Sequence, residues 1–549
     1  MGDVSAASVK GSIADALFEA KVLRRAGIVG PLRPDKALKI GSTFLRWGAS
    51  PATGIATGAI HHPHETALID ERGSLSFERL HRRSNALAHS LAERGIGYGD
   101  GVGIMCRNHR GFVEATLAAA KLGASALYLN TMFAGPQLVE VTRREGPKAL
   151  VYDEEFGGLL EDVDDSVARI VAWTDRKGEL AETTLEQLIA AGSEADHRPP
   201  PDKPRFVILT SGTTGTPKGA QRSSPDGLLA MAALIDKIPF RSRETMMIAA
   251  PLFHSWGFFH FAMSLPTTAT IVLQRRFDPE ATLRAIQERR AEVLAVVPVM
   301  IQRILNLPDE TLAAYDLSSL RITSLSGSAL PGELALAWMD RFGDNAYNLY
   351  GSTEVAYATV ASPEDLRAAP GTAGRPPRGT EVRIVDEQGR EAPQGEVGRI
   401  FVGNEMSFEG YTGGGGKEVI DGLLSSGDVG HIDSAGRLFI DGRDDEMIVS
   451  GGENVFPREV EDLLADHEAV LEAAVIGVED EEFGQRLKAF VVLAPERDVS
   501  AADLKAHVKA NLAGYKAPRE VEFIDELPRN ATGKVLKRAL RDAETQKSA

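Results

Sequence analysis

The chain of 549 residues holds one cysteine, Cys106. No intramolecular disulfide can form, and no metal cluster can be built on thiolates. Cys106 sits in the apolar run "VGIMC", where a buried, inert thiol is expected. Positive charge is also short: 61 Lys and Arg stand against 78 Asp and Glu, a formal net charge of −17. That balance excludes an extended nucleic-acid face, which needs basic patches, but leaves room for a small anion at a local positive site. Acidic Asp15 and Glu19 interrupt the first apolar stretch, so no leader peptide is expected and a cytoplasmic setting is. Only residues 245–274 form a long run without a charged residue, and Pro251, Pro266, His254 and His260 break it. Buried core beside a lined cavity is expected there rather than a bilayer span. Low complexity is confined to "GGGG" at 413–416, read as a surface loop, and there is no solenoid-type repeat.

What is present is an alternation of short apolar runs with helical patterns. "VGIMC" (102–106) precedes "GFVEATLAAAKLGA" (111–124), and "ALYLN" (126–130) and "ALVYD" (149–153) follow. After residue 240 the pattern resumes with "TMMIAAPL", "ATIVLQ", a helix near 279–290, "VLAVVP" and "RITSLSG". Such alternation predicts βαβ units and mostly parallel sheets with helices on both faces. The texture changes at 381–402, where "DEQG" reads as a turn between antiparallel strands. About a hundred residues beyond "GRDDEMIVSGGENVF" are enough for a separate small domain. Near the start, "SIADALFEAKVLRRAG" places Ile13, Leu17, Phe18, Val22 and Leu23 near one helical face. That face packs on the protein itself or, alternatively, touches a membrane surface. A homodimer stays open.

"TSGTTGTPKG" at 210–219 follows the apolar "FVIL" and carries little but glycines, hydroxyls and one ammonium. Converging backbone N–H groups, hydroxyl donors and a mobile cation suit phosphate. The P-loop of ATPases needs two glycines separated by four residues and then Lys-Ser/Thr, whereas Gly212 and Gly215 are three apart and Pro217 precedes Lys218. By composition alone the stretch is either a different phosphate loop or a linker.

Six further stretches accompany it in order: "PLFHSWG" (251–257), "SGSALP" (326–331), "YGSTE" (350–354), "SGDVG" (426–430), "GRDDEMIVSGGENVFPREVE" (442–461) and "PRNATGK" (528–534). Taken together, the seven resemble the adenylate-forming (AMP-binding) enzymes, and in particular bacterial acyl-CoA synthetases, over residues 65–540. The resemblance implies an α/β fold. Its large N-terminal domain (1–441) would hold two doubly wound sheet subdomains plus a small β-barrel. A small mobile α+β C-terminal domain (442–549) would follow, with a hinge at 442–446. It implies ATP, Mg²⁺ and coenzyme A as ligands. A hydrophobic carboxylic acid, read as a medium- or long-chain fatty acid, would become acyl-AMP and then acyl-CoA. The alternatives are an acyl-AMP ligase loading a carrier protein and a non-catalytic nucleotide or acyl-CoA binder.

The resemblance also implies roles. Thr210, Ser211, Gly212, Thr213, Thr214, Gly215 and Gly219 would form the phosphate-gripping loop, and Lys218 would meet the β/γ-phosphates. Gly327, Ser328 and Ala329 would wall the adenine and the neck of the acyl tunnel. Tyr350 would stack on adenine with Gly351 and Ser352 beside it, Thr353 would contact the α-phosphate, and Glu354 would hold Mg²⁺. Asp428 and Arg443 would take the ribose. Lys534 would contact the carboxylate and α-phosphate during adenylation and withdraw when the small domain turns about Asp445. His254 is counted with the catalytic residues, and Ser450, Gly451 and Gly452 form the turn that would admit the pantetheine thiol.

The segment after His254, "HSWGFFHFAMSL", has no acid to pair with a substrate ammonium, so amino-acid substrates are disfavoured. Trp256, Phe258, Phe259 and Phe261 suit an apolar tail or, equally, ordinary core. Leu423 and Ser426 depart from the residues common in the family, as do the glycines of "GYTGGGGKE".

Overall fold

The computed structural model describes residues 6–548 except 179, 202–204, 211–217, 223–226, 387, 407, 413, 447, 451–452, 481–483, 513 and 531–532. Three helices open the chain: α1 (Ala6–Arg25), α2 (Pro34–Trp47) and α3 (Pro51–His61). Two eight-stranded sheets follow. The first has parallel strands Ala346–Tyr350, Ile322–Leu325, Val293–Val296, Thr245–Ile248, Thr270–Leu273 and Thr66–Asp70, in that spatial order, with an antiparallel strand at each edge. The second runs parallel from Phe206–Thr210 through Ser125–Tyr128, Gly101–Met105, Pro147–Asp153 and Ala168–Trp173 to Thr183–Thr184. Its other edge is antiparallel, Lys218–Arg222 and then Phe408–Tyr411. The central parallel strands are largely apolar and buried along their length, as in Val293–Val296 and Gly101–Met105, which is what strands covered on both faces require.

One core joins the two sheets, from Leu68 and Ile104 to Val296 and Leu325. Within it the helix Arg110–Leu122 is wholly buried, and Gly123 caps it in the left-handed region. A third sheet of five antiparallel strands covers Glu381–Val385, Gly398–Gly403, Val419–Ile420, Leu423–Ile432 and Leu438–Arg443. The turn read at 386–389 is closed by Asp386, whose carbonyl accepts from Gly389 N at 3.0 Å. The C-terminal part is α+β: strands Ile448–Ser450, Glu453–Val455, Val470–Asp480, Gly484–Leu493 and Glu520–Phe523, with helices Pro457–Ala465, Ala501–Asn511 and Lys537–Ser548. It has its own core around Val460, Val475, Val491 and Val508.

The stretch 245–274 is a strand, a helix (Ser255–Ser264) and a strand within the core. Among the described residues no helix is long and apolar enough to cross a membrane. The apolar face read on α1 divides. Val22 and Leu23 are buried and Phe18 lies under Arg378, whereas Ile13 and Leu17 face outward. Asp15 pairs with the same Arg378 at 2.9 Å, so the inward stripe runs through Asp15, Phe18 and Val22.

Candidate active site

Strands Phe206–Thr210 and Lys218–Arg222 are antiparallel, with Thr210 directly opposite Lys218. Ser211, Gly212, Thr213, Thr214 and Gly215, which the sequence resemblance assigns to a phosphate loop, lie outside the described residues. The side chains of Thr210 and Lys218 lie outside them as well. Gly219 is fixed by what surrounds it. A Cβ there would meet Val207 at 2.5 Å and Thr412 Oγ1 at 2.7 Å, and Gly219 N donates to that hydroxyl at 3.0 Å.

"YGSTE" leaves the end of strand Ala346–Tyr350. Gly351 is obligatory because a Cβ would stand 2.2 Å from Ala356 O, and Ala356 itself takes φ +61°. Asn404 pins this tight loop, donating to Val355 O at 2.8 Å and Tyr357 O at 2.7 Å. Glu354 is thereby aimed into the cavity with both oxygens engaged, accepting from Ser352 Oγ at 2.9 Å and Tyr411 Oη at 2.7 Å. Tyr350 Oη donates to Asp428 Oδ2 at 2.5 Å, and Arg443 Nη1 donates to Asp428 Oδ1 at 3.1 Å. Asp428 and Arg443 meet because their strands pair in that register. Burial, with the Asp428 carboxylate second, pushes the Tyr350 hydroxyl well above its usual range, so it stays a donor. Ser426 Oγ donates to Ile400 O and accepts from Asp428 N, which orients the acid.

The aromatic helix Ser255–Ser264 starts at His254, whose Nδ1 caps it by accepting from Trp256 N at 3.4 Å. Burial pushes His254 down to about 4, and His260 likewise. Both imidazoles are neutral at pH 7. Trp256 is held by Nε1–H donating to Val296 O at 2.9 Å and stacks on Phe259, with ring centroids 5.5 Å apart. Trp256, Phe258 and Phe259 line the cavity, whereas Phe261 is plain core.

One cavity of about 1480 Å³ joins these parts, with Gly327, Ser328, Ala329, Thr353 and Lys534 also on its wall. Gly327 adopts φ +91°, which favours glycine. Lys534 arrives from the C-terminal part on the turn Asn530–Lys534. Asn530 Oδ1 accepts from Lys534 N at 2.9 Å. Gly533, at φ +78°, has no room for a Cβ, since Val299 of the helix Pro298–Leu305 would be 2.4 Å away. The C-terminal part is thus seated on the large part with its lysine at the cavity. Asp445 lies in a short 3₁₀ turn, Asp444–Glu446, and its side chain is outside the described residues. Next to it, Arg399 Nε donates to Asp444 Oδ2 at 3.1 Å. The Ser450 backbone pairs with Gly484, while its side chain and Gly451 and Gly452 lie outside the described residues.

Sequence reasoning missed Tyr411, Thr412 and Asn404. Tyr411 touches Glu354, while Thr412 Oγ1 donates to Glu145 Oε1 at 2.6 Å and accepts from Gly219 N. The strand Phe408–Tyr411 thus ties the strand Lys218–Arg222 to Glu354. No local signal marks Tyr411 and Thr412, because their partners are set by long-range strand pairing.

Buried His260 and half-buried His254 imply a measurable pH dependence of stability. Their folded-state values lie below the unfolded value of 6.5, so their contribution is fully present above about pH 6.5 and is lost as pH falls toward 4. At pH 5 each should cost about 2 kcal/mol. Urea unfolding at pH 7 and pH 5 should show a smaller drop for His260→Gln than for the unaltered chain. An equal drop would contradict the assignment.

The site is one cavity with a polar part around Glu354 and Asp428 and an apolar part at the aromatic helix, reached by Lys534 from the C-terminal part. The family model for AMP-binding enzymes matches residues 56–412, and that for the AMP-binding enzyme C-terminal domain matches 459–534. The chain is 34% identical to a feruloyl-CoA synthase of Amycolatopsis over 492 residues, 87% of this chain and 96% of the relative. It is 31% identical to the fatty acid–[acyl-carrier-protein] ligase ScoC of Streptomyces coeruleorubidus, over 88% of this chain and 94% of that one. The crystal structure of the anthranilate CoA ligase AuaEII with anthranoyl-AMP superposes with a TM-score of 0.80 at 26% identity, covering 90% of this chain and 97% of the other. The chain belongs to the AMP-binding enzyme family. It is an ATP-dependent, acyl-adenylate-forming CoA ligase.

Proposed function

We propose that the acid is hydrophobic, a medium- or long-chain fatty acid, and that the enzyme acts in the cytoplasm. What supports the reading is the single cavity that carries Glu354, Asp428, Lys534 and the aromatic face of Trp256, Phe258 and Phe259 together. An apolar wall without a carboxylate beside His254 favours an uncharged tail. One carboxylate oxygen of the acid attacks the α-phosphorus of ATP, forming the mixed anhydride while the bond to pyrophosphate breaks. The thiol of CoA then adds to the acyl carbonyl, gives up its proton, and AMP leaves as the thioester forms.

In this reading Thr210–Gly215 and Lys218 grip the phosphates, Tyr350 faces the adenine with Gly327–Ala329, and Asp428 with Arg443 takes the ribose hydroxyls. The neutral, half-buried His254 holds the start of the aromatic helix beside the reacting carboxylate. Glu354 fits a hard divalent cation: its carboxylate, already oriented by two hydroxyls, would hold one beside the phosphates. Mg²⁺ bound there supplies neutralisation of charge on the phosphates. Lys534 supplies positive charge where charge develops on the α-phosphate. Residues 1–441 and 442–549 act as two domains about Asp445, and Ser450, Gly451 and Gly452 border the thiol's path once the smaller has turned. Tyr411 serves as a positioning residue for Glu354. Tyr411→Phe should raise the Mg²⁺ concentration for half-maximal activity several-fold with a smaller effect on the rate at saturation. An unmoved Mg²⁺ titration would contradict that role.

The same reading includes peripheral contact with a membrane surface through the first helix, on which Ile13 and Leu17 are 56% and 67% exposed. Co-sedimentation with phosphatidylserine vesicles should fall when Ile13 and Leu17 are both changed to Glu, and unchanged binding would contradict the contact. The test of the substrate is AMP release with CoA across acids from butanoate to hexadecanoate, with benzoate and ferulate alongside. Rates that climb with chain length support the reading, and a preference for the aromatic acids would overturn it.

A further inference from the structure

The family match begins at residue 56, so α1, α2 and the first turn of α3 lie ahead of it. They are nonetheless built into the molecule. Val22, Leu23 and Ile55 are buried in the main core, and Ser242 N donates to Ala26 O at 2.7 Å. Gly54 lies so close to the end of the aromatic helix that a Cβ would stand 2.5 Å from Leu265. The cavity that exposes Trp256 and Phe259 is also lined by Ile28, Leu32, Ile40, Phe44 and Thr57. These residues come from α2, α3 and the α1–α2 connection.

The cavity's volume, about 1480 Å³, exceeds the roughly 300–1,000 Å³ of a cleft for one small ligand. A nucleotide and a short acid leave part of it unfilled, and the part bounded by the extension is mostly apolar. We propose that α1–α3 form the far wall of the acyl pocket and set the length of acid it accepts. An acid whose tail passes the aromatic helix is then held partly by residues outside the family's common module. The inference rests on the proposed acid class and adds which segment measures the tail. Each methylene taken out of water multiplies affinity about fourfold, so closing the space of two or three should be felt as a tenfold or greater loss confined to long acids.

Thr57→Trp and Ile40→Trp each put an indole into that space. The ratio of kcat/KM for dodecanoate to that for butanoate should fall at least tenfold in each, while Thr57→Ser keeps the ratio of the unaltered enzyme. An unmoved ratio in both Trp variants would overturn the inference and leave the proposed acid class standing. No pyrophosphate from the unaltered enzyme with any acid would overturn that reading and the inference with it. A second measurement does not depend on tolerance of an indole. Cys106 is buried, so in Thr57→Cys the introduced thiol is the one open to N-ethylmaleimide. Dodecanoate with ATP should slow its modification at least fivefold and butanoate should not. Equal protection by both acids, or by neither, would overturn the proposal.

Discussion

Lys534→Ala is expected to lower acid-dependent pyrophosphate formation by about 100- to 1,000-fold, the scale for losing one charged donor aimed at a transition state. The same variant should convert supplied acyl-AMP and CoA to thioester at close to the unaltered rate. The asymmetry follows from how the lysine is carried. It sits on a turn of the C-terminal part that is seated on Val299 through Gly533, with the lysine on the wall of the cavity. In the proposed cycle the turn leaves that seat when the small domain rotates, so thiolysis no longer needs the ammonium. Gly533→Val offers a check by a different route. Its side chain would clash with Val299, so adenylation should fall while thiolysis persists. Equal loss of both half-reactions in Lys534→Ala would contradict the assignment.

Glu354→Ala should cost about 100-fold or more in adenylation, on the same transition-state scale, and abolish the saturable response to Mg²⁺. Glu354→Gln separates charge from shape. The amide keeps the shape and one of the two acceptors, its NH2 group donating to the other hydroxyl, but offers no anionic ligand, so it should be nearly as impaired as alanine. If glutamine were close to normal, orientation of the loop rather than metal binding would be the residue's contribution. Near-normal turnover in the alanine variant, with an unchanged Mg²⁺ titration, would rule out the metal role.

Much of the fold was legible because parallel strands covered on both faces must be continuous apolar runs. "VGIMC", "ALVYD" and "VLAVVP" contain strands Gly101–Met105, Pro147–Asp153 and Val293–Val296 to within a residue or two at most ends. The turn at 386–389 was legible from its own chemistry, an aspartate that folds back on its backbone and a glycine at φ +77°. What periodicity leaves open is the partner of an apolar face. The apolar residues of the first helix do not share one stripe: Asp15, which pairs with Arg378, Phe18 and Val22 turn inward, and Ile13 and Leu17 lie outside that stripe. For the same reason Phe261 could not be told from Phe259, one core and the other cavity wall.

The site was legible as motifs because each is a local backbone device. Gly351 and Gly327 are such cases: a Cβ at Gly351 has no room, and Gly327 needs positive φ. Contacts set by long-range strand pairing were not legible. Tyr411 reaches Glu354, and Thr412 reaches Gly219 across 193 positions, through the ladder between Phe408–Tyr411 and Lys218–Arg222. Nothing in "GYTGGGG" alone announces that partner. The Asp428–Arg443 pair is an intermediate case: the resemblance supplied both residues, and the register of their strands explains why they meet.

The proposed cycle is a two-step transfer, acid to AMP and then to CoA. Its most direct test measures pyrophosphate and AMP separately, with dodecanoate and MgATP, in the presence and absence of CoA. The account predicts pyrophosphate that depends on the acid, limited to about one equivalent per enzyme without CoA, and steady release of both products once CoA is added. About one pyrophosphate per enzyme and no AMP, unchanged by CoA, would contradict it and point to a carrier protein as acceptor.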